Sequence, residues 1–199
     1  MRGVAPTAQS TLEEAVAKHH PRLTMACSFQ KEESVLIDML MEIEPGVRVF
    51  TIDTGVLFPE TYSTWREIEK RYGLRIEVQD AVGQWTAENC CGHAKVAGLE
   101  RGLKGAEAWI TGIRREQSPT RADAEFVERD EKRGMWKYNP LADWTERDLW
   151  RYINEHDLPY NPLHDRGYAS IGCAPCTLPG DGRDGRWAGQ EKTECGLHV

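Results

Sequence analysis

Over roughly the first 120 residues, apolar runs of strand length alternate with segments of helical spacing. The run "RLTMACS" reads as a strand. It is followed by "KEESVLIDMLMEI", where Val35, Leu36, Met39, Leu40 and Ile43 recur at the three- and four-residue steps of a helix. "VRVFTID" predicts a second strand. "PETYSTWREIEKRYG" predicts a second helix, opened by Pro59, carrying Tyr62, Trp65, Ile68 and Tyr72 on one face and closed by Gly73. "LRIEVQ" and "AEAWITG" continue the strands. Alternation of this kind predicts an α/β protein with an open, mostly parallel sheet and helices on both faces.

Past residue 120 the pattern breaks into short irregular pieces around one clear helix, "TERDLWRYINEHD", with Thr145 as its N-cap and Leu149, Trp150 and Ile153 on one face. From Pro159 onward glycine and proline are frequent and periodicity is weak. The expected organisation is an α/β unit over residues 1–158 and a loop-rich C-terminal segment over 159–199. Neither an internal repeat nor a low-complexity stretch interrupts it.

Composition adds a real core and a compartment. Of 199 residues, 40% are hydrophobic and seven are tryptophans, which is ample surface for burial. No apolar run reaches the roughly 18 residues of a membrane span, and "MRGVAPTAQSTLEEAV" has no signal-peptide core, so a cytoplasmic protein is expected. The net charge of −7, from 25 basic against 32 acidic side chains, disfavours nucleic acid. A small anion remains compatible, because local basic clusters such as "TGIRRE" and "DGRDGRW" can focus a field in a cleft.

In a reducing compartment the six cysteines are better read as ligands or nucleophiles than as disulfides. Cys90 and Cys91 stand side by side, and Cys173 and Cys176 form a C-x-x-C pair. Four such thiolates can hold zinc or an iron–sulfur cluster. A thioredoxin-like redox motif is the weaker reading, since "CAPC" has loop-like sequence on both sides rather than a strand-to-helix junction. If the paired cysteines open a helix their side chains diverge by about 100°, which favours a [4Fe–4S] cluster over a single ion. Cys27, inside a strand, reads as a buried apolar cysteine. Cys195, beside Glu194 and three residues before His198, is either incidental or a nucleophile.

Open α/β sheets bind ligands at the carboxyl ends of their strands. Three such ends carry polar or basic groups here: "CSFQKEES" with Ser28, "DTG" with Asp53, Thr54 and Gly55, and "TGIRREQSPTR". The first turn leads into a helix, whose free N–H groups and dipole favour an anion, yet it has no glycine and is not a phosphate-loop motif. Arg114, Arg115, Arg121, Arg183 and Arg186 are the candidate cations, since the guanidinium fork matches sulfate and phosphate oxygens.

Taken together, "SFQKEESVLID", "TIDTGVLFPETY", "CCGHAKV", "WITGIRREQSPTRA", "NPLHDRGYASIGCAPCT" and "GRWAGQEKTECGLH" resemble the assimilatory adenylylsulfate reductases, the iron–sulfur branch of the adenylylsulfate and phosphoadenylylsulfate reductase family. The resemblance runs from about residue 24 to the end. It implies an adenine-nucleotide alpha-hydrolase-like fold, with Ser28, Phe29 and Gln30 replacing the glycine-rich loop of relatives that split ATP. It further implies a [4Fe–4S] cluster on Cys90, Cys91, Cys173 and Cys176, and Cys195 as nucleophile. Lys95, Arg121, Arg183, Arg186 and His198 match the family positions lining sulfate and phosphate. The implied substrate is adenylylsulfate and the implied reductant is thioredoxin or a similar thiol protein. One departure stands out: "CCGHAKVAGL" places Ala94 where the family usually has arginine and Gly98 where it usually has proline. Two rivals remain open at this level, a phosphoadenylylsulfate reductase and a metal-containing nucleotide sensor in which Cys195 is incidental. Association into a homo-oligomer is open as well.

Overall fold

The computed structural model describes residues 5–83, 86 and 92–187. Eleven regular elements run along these residues: α1 (Ala8–His19), β1 (Leu23–Ala26), α2 (Lys31–Ile43), β2 (Arg48–Asp53), α3 (Pro59–Tyr72), β3 (Glu77–Asp80), α4 (His93–Gly102), β4 (Ala108–Ile110), β5 (Val127–Asp130), β6 (Met135–Tyr138) and α5 (Glu146–Glu155). The strands form one sheet in the order β3-β2-β1-β4-β6-β5, parallel throughout except for the β5–β6 pair. This is the expected mostly parallel α/β sheet.

Its two faces are read from alternate residues of each strand, as the pleat requires. In β4, Ala108 and Ile110 face the larger core, while Trp109 faces the other side. Met25 and Val49 join the larger core, where Leu12 of α1, Leu36 and Leu40 of α2, Ile68 of α3 and Leu149 and Ile153 of α5 are packed. The opposite face is smaller: Leu99 of α4 and Leu103, the residue that caps it, cover Phe50 and Trp109. Helices therefore do lie on both faces, four against one.

Two helices follow their sequence signals closely. α3 has proline in its first turn and ends at Gly73 in the left-handed region at φ 61°. α5 is capped by Thr145, whose hydroxyl accepts from the Asp148 amide. Two features were not expected. α1 forms at the N-terminal side with Ala8, Leu12 and Ala15 buried along one stripe, and the β5–β6 hairpin occupies a stretch expected to be irregular. Beyond Pro159 the described chain contains only short 3-10 turns, His164–Arg166 and Ala174–Cys176, and isolated bridges. Among the described residues no helix is long and apolar enough to cross a membrane.

The connections explain where the cleft lies. From β1 the chain steps outward through β2 to β3, then crosses behind the sheet through α4 to reach β4 on the other side of β1. Strand order reverses between β1 and β4, and such a reversal leaves a crevice at the carboxyl ends of those strands.

Candidate active site

The crevice is real and large. It holds about 1000 Å³ of atom-free space, open solvent included. Its apolar floor includes Phe50, Ile52, Leu99 and Trp109. The β1 end enters it through Ser28, Phe29 and Gln30. Phe29 takes φ 61°, a strained value for a large side chain, and is held there by full burial and a stack on Trp65 at 5.2 Å.

The first turn differs from its sequence reading. Its amide donors were expected to be open to an anion, yet the turn caps itself: a Glu33 carboxylate oxygen accepts from the Gln30 amide at 3.0 Å and from the Ser28 hydroxyl at 3.2 Å. Burial, reinforced by the neighbouring Glu32 charge, pushes the Glu33 carboxyl up to about 8. Cys27 also lines the cleft, buried as expected, and burial raises its thiol well above its ordinary value.

Four predicted cations meet in this one cleft. Lys95 comes from α4, Arg121 from a 3-10 turn after β4, and Arg183 and Arg186 from the C-terminal segment. Arg183 and Arg186 lie over the same indole, Trp187, with guanidinium carbons 5.1 and 4.7 Å from its centroid. Arg186 also donates to the Ser170 hydroxyl and the Ile171 carbonyl, each at 3.2 Å.

The other two arginine candidates are elsewhere. Arg114 is 3% exposed and fully committed to Glu32, Glu116 and Glu146, each at 3.0 Å. Burial works against ionised Glu32, but Lys31 and Arg114 outweigh it and hold the carboxyl below its ordinary range. Arg115 donates to the Ala124 carbonyl and lies over Phe126, away from the cleft lining. Neither is a cation of the cleft.

Of the strand-end residues, Ser28 lines the cleft, whereas Asp53, Thr54 and Gly55 are outside its lining. Asp53 is used within its own turn, accepting from the Gly55 amide at 2.8 Å and the Tyr62 hydroxyl at 2.6 Å. Gly55 sits at φ 72°, and a Cβ there would meet Val82 at 2.9 Å. Thr54 turns instead toward the cysteine segment, its hydroxyl 3.3 Å from the Cys173 sulfur.

Cys173 caps one 3-10 turn, Cys176 ends it, and both are buried. The backbone fixes this turn from two sides. Ala174 donates to the Val56 carbonyl, and Trp187 donates to the Cys176 carbonyl, both at 2.8 Å. The buried Trp187 indole N–H packs with these cysteines and has no acceptor among the described residues. Two buried free thiols packed with an orphaned donor suit a thiolate-bound metal group whose sulfur atoms accept hydrogen bonds. Cys90, Cys91, Cys195 and His198 lie outside the described residues.

Sequence reasoning did not single out Glu33 or Gln117, which also line the cleft, and it named Gln30 only as part of the turn that replaces a glycine-rich loop. Gln30 accepts from the Ile171 amide at 2.8 Å and so ties the first turn to the C-terminal segment. The position of Glu33 three residues into a helix was the available signal for its capping role. Nothing comparable marks Gln117.

A mostly parallel sheet with a cationic cleft at its topological switch point, entered by a self-capped turn in place of a phosphate loop, defines an adenine-nucleotide alpha-hydrolase-like fold. The chain belongs to the phosphoadenosine phosphosulfate reductase domain family, whose model matches residues 22–179. It is 43% identical to the adenosine 5'-phosphosulfate reductase of Geobacillus kaustophilus (strain HTA426), over 96% of this chain and 90% of that one. It is 44% identical to the phosphoadenosine 5'-phosphosulfate reductase of Gloeobacter violaceus (strain ATCC 29082 / PCC 7421), over 96% and 88%. Among solved structures it resembles the phosphoadenylyl-sulfate reductase of Candida auris in its phosphate complex, with a TM-score of 0.73, 29% identity and coverage of 86% and 90%.

Proposed function

We propose that this protein reduces adenylylsulfate to sulfite and AMP in sulfate assimilation, through an S-sulfocysteine on Cys195, with a thioredoxin-like protein as reductant. The observation that carries the proposal is the meeting of Lys95, Arg121, Arg183 and Arg186 in one cleft beside the buried Cys173–Cys176 turn. A thiolate approaching a sulfur ringed by anionic oxygens is repelled unless cations neutralise those oxygens first.

In the proposed reaction the adenosine part occupies the apolar floor, and the four cations and His198 face the sulfate and phosphate. The Cys195 thiolate attacks the sulfate sulfur. A sulfur–sulfur bond forms, the sulfur–oxygen bond to phosphate breaks, and AMP leaves with the electron pair. A reductant thiolate then attacks Cys195 Sγ, sulfite departs with the electrons of the sulfur–sulfur bond, and the reductant's second thiol resolves the mixed disulfide. A reducing cytoplasm supplies that donor. Cys90 and Cys91 would join Cys173 and Cys176 in holding a [4Fe–4S] cluster, whose contribution is charge and fixed geometry at the cysteine end of the cleft. Ser28 belongs to the nucleotide end, whereas Asp53, Thr54 and Gly55 act by shaping the turn against Cys173.

The rival substrate is phosphoadenylylsulfate, favoured by the name of the Gloeobacter relative. The doubled cysteines favour the unphosphorylated nucleotide, because relatives that prefer the 3'-phosphate mostly lack these four thiols. Sulfite release measured with each nucleotide separates the two, and turnover of the 3'-phosphorylated one alone would overturn the substrate assignment. The Cys195→Ser variant tests the nucleophile. It is expected to keep its iron content and bind nucleotide while forming no sulfite, and the C-terminal peptide of the unchanged protein is expected to gain SO₃ after mixing with adenylylsulfate. Sulfite formation by the serine variant would instead leave Cys195 incidental.

A further inference from the structure

Gln117 uses every hydrogen-bonding position of its amide. Its nitrogen donates to a Glu32 carboxylate oxygen at 3.0 Å and to the Gly112 carbonyl at the end of β4 at 3.1 Å. Its oxygen accepts from the Arg114 backbone amide at 3.1 Å and from Nη1 of Arg121. Only one orientation satisfies this set, because turning the amide over would set its N–H₂ against two donors and its oxygen against a carboxylate and a carbonyl.

Behind Gln117 the framework is buried and charged. The Glu32 oxygen that receives Gln117 also receives Arg114 Nε at 3.0 Å, and Arg114 is anchored further by the Trp144 carbonyl at 3.1 Å. Glu146, which pairs with Arg114, also pairs with the buried Lys31 at 3.0 Å. Lys31 in turn donates to the Ala169 carbonyl at 3.0 Å. A rigid ionic lattice thus ends on a neutral amide, and that amide meets a cation of the cleft.

We infer that Gln117 is the positioning residue for Arg121: it transmits the placement of the Glu32–Arg114 pair to the guanidinium through an acceptor that carries no charge. This rests on the substrate site proposed above. An arginine held before the ligand arrives loses less rotamer freedom on binding. A carboxylate at position 117 would hold it too, but would oppose the field that draws an anion to it. Gln117 itself is not required to touch the substrate.

Calorimetric binding of adenosine, AMP and adenylylsulfate in a Cys195→Ser background, where the substrate is not consumed, tests the inference. Gln117→Met keeps length and shape without the acceptor. It is expected to weaken adenylylsulfate about tenfold, the scale of one charge-assisted hydrogen bond, while adenosine binding stays within about twofold. Gln117→Glu, of the same size, is expected to weaken adenylylsulfate as well and to leave adenosine alone. Arg121→Ala should weaken adenylylsulfate, and adding Gln117→Met to it should cost nothing more. Equal losses for adenosine and adenylylsulfate would make Gln117 merely structural and overturn the inference. Weakening by Arg121→Ala but by neither Gln117 variant would overturn the positioning role and leave the proposed function standing. Insensitivity to Arg121→Ala would remove the anion from Arg121 and overturn both.

Discussion

At Gly172 one missing methyl group decides where a cation sits. A Cβ there would come within 2.5 Å of Arg186 Nη2 and 2.6 Å of its Cζ. The contact is with the end of a side chain, so Gly172→Ala is expected to push the Arg186 guanidinium off Trp187 and leave the backbone in place. Adenylylsulfate binding should fall about tenfold, or ~1.4 kcal/mol, with little change in melting temperature. Unaltered affinity in a titration would contradict the placement of Arg186 at the substrate. At this scale sequence could nominate charges but not their partners. Arg114 and Arg121 are both arginines of one motif, yet Arg114 is enclosed by three carboxylates while Arg121 lines the cleft. Glu32, from the first turn, and Glu146, from α5, are remote in sequence from Arg114, and only folding brings them to it.

Helix α4 shows the same dependence one level up. Gly98 and Gly102 lie one turn apart on its sheet side, where added Cβ atoms would meet Ile52 at 2.9 Å and the Phe50 ring at 2.2 Å. Close approach of α4 to β2 therefore favours glycine at both positions. Alanine gains about 1 kcal/mol over glycine in helix propensity, but overpacking a buried contact costs about 1–3 kcal/mol. Gly102→Ala is expected to lose stability on balance in a denaturant melt, and a raised midpoint would refute this account of the packing. Elements with strong periodicity, α2, α3 and α5, were legible at this level because their apolar stripes are local properties. The β5–β6 hairpin was not. "VERDEKRGMWKY" is dominated by charged residues with no alternating apolar pattern, and its strands are held by pairing, including the 2.7 Å Glu128–Lys137 ion pair across the ladder.

For the molecule as a whole, the C-terminal segment is fastened to the α/β sheet through groups that titrate. His164 binds the Tyr168 carbonyl through Nδ1 at 2.8 Å and meets the Trp150 ring of α5 edge-on. Burial, and then the Lys31 charge, lower its imidazole from 6.5 to about 4. The unfolded chain therefore takes up a proton that the folded one refuses, and stability is lost as pH falls from about 6.5 toward 4. His164→Asn can keep a donor near Tyr168 without titrating. Its melting temperature should decline less steeply across that window than that of the unchanged protein, whereas parallel curves would show that His164 does not carry the effect. His19, also lowered by burial, contributes to both curves alike.

By itself the sequence determined the local and the chemical: the periods that make strands and helices, the caps that bound them, the arginine-rich turn and the cysteine pairs that carry the family resemblance. These depend on neighbours within a few residues or on residue type alone. Tertiary structure decided which of those groups work together. It gathered Lys95, Arg121, Arg183 and Arg186 into one cleft, withdrew Arg114 and Arg115 from it, turned Thr54 toward Cys173, and gave the neutral Gln117 a place between a buried ion pair and a cleft cation. The physical reason is that charge acts through distance and burial. Both are set by how remote segments pack, which no local pattern records.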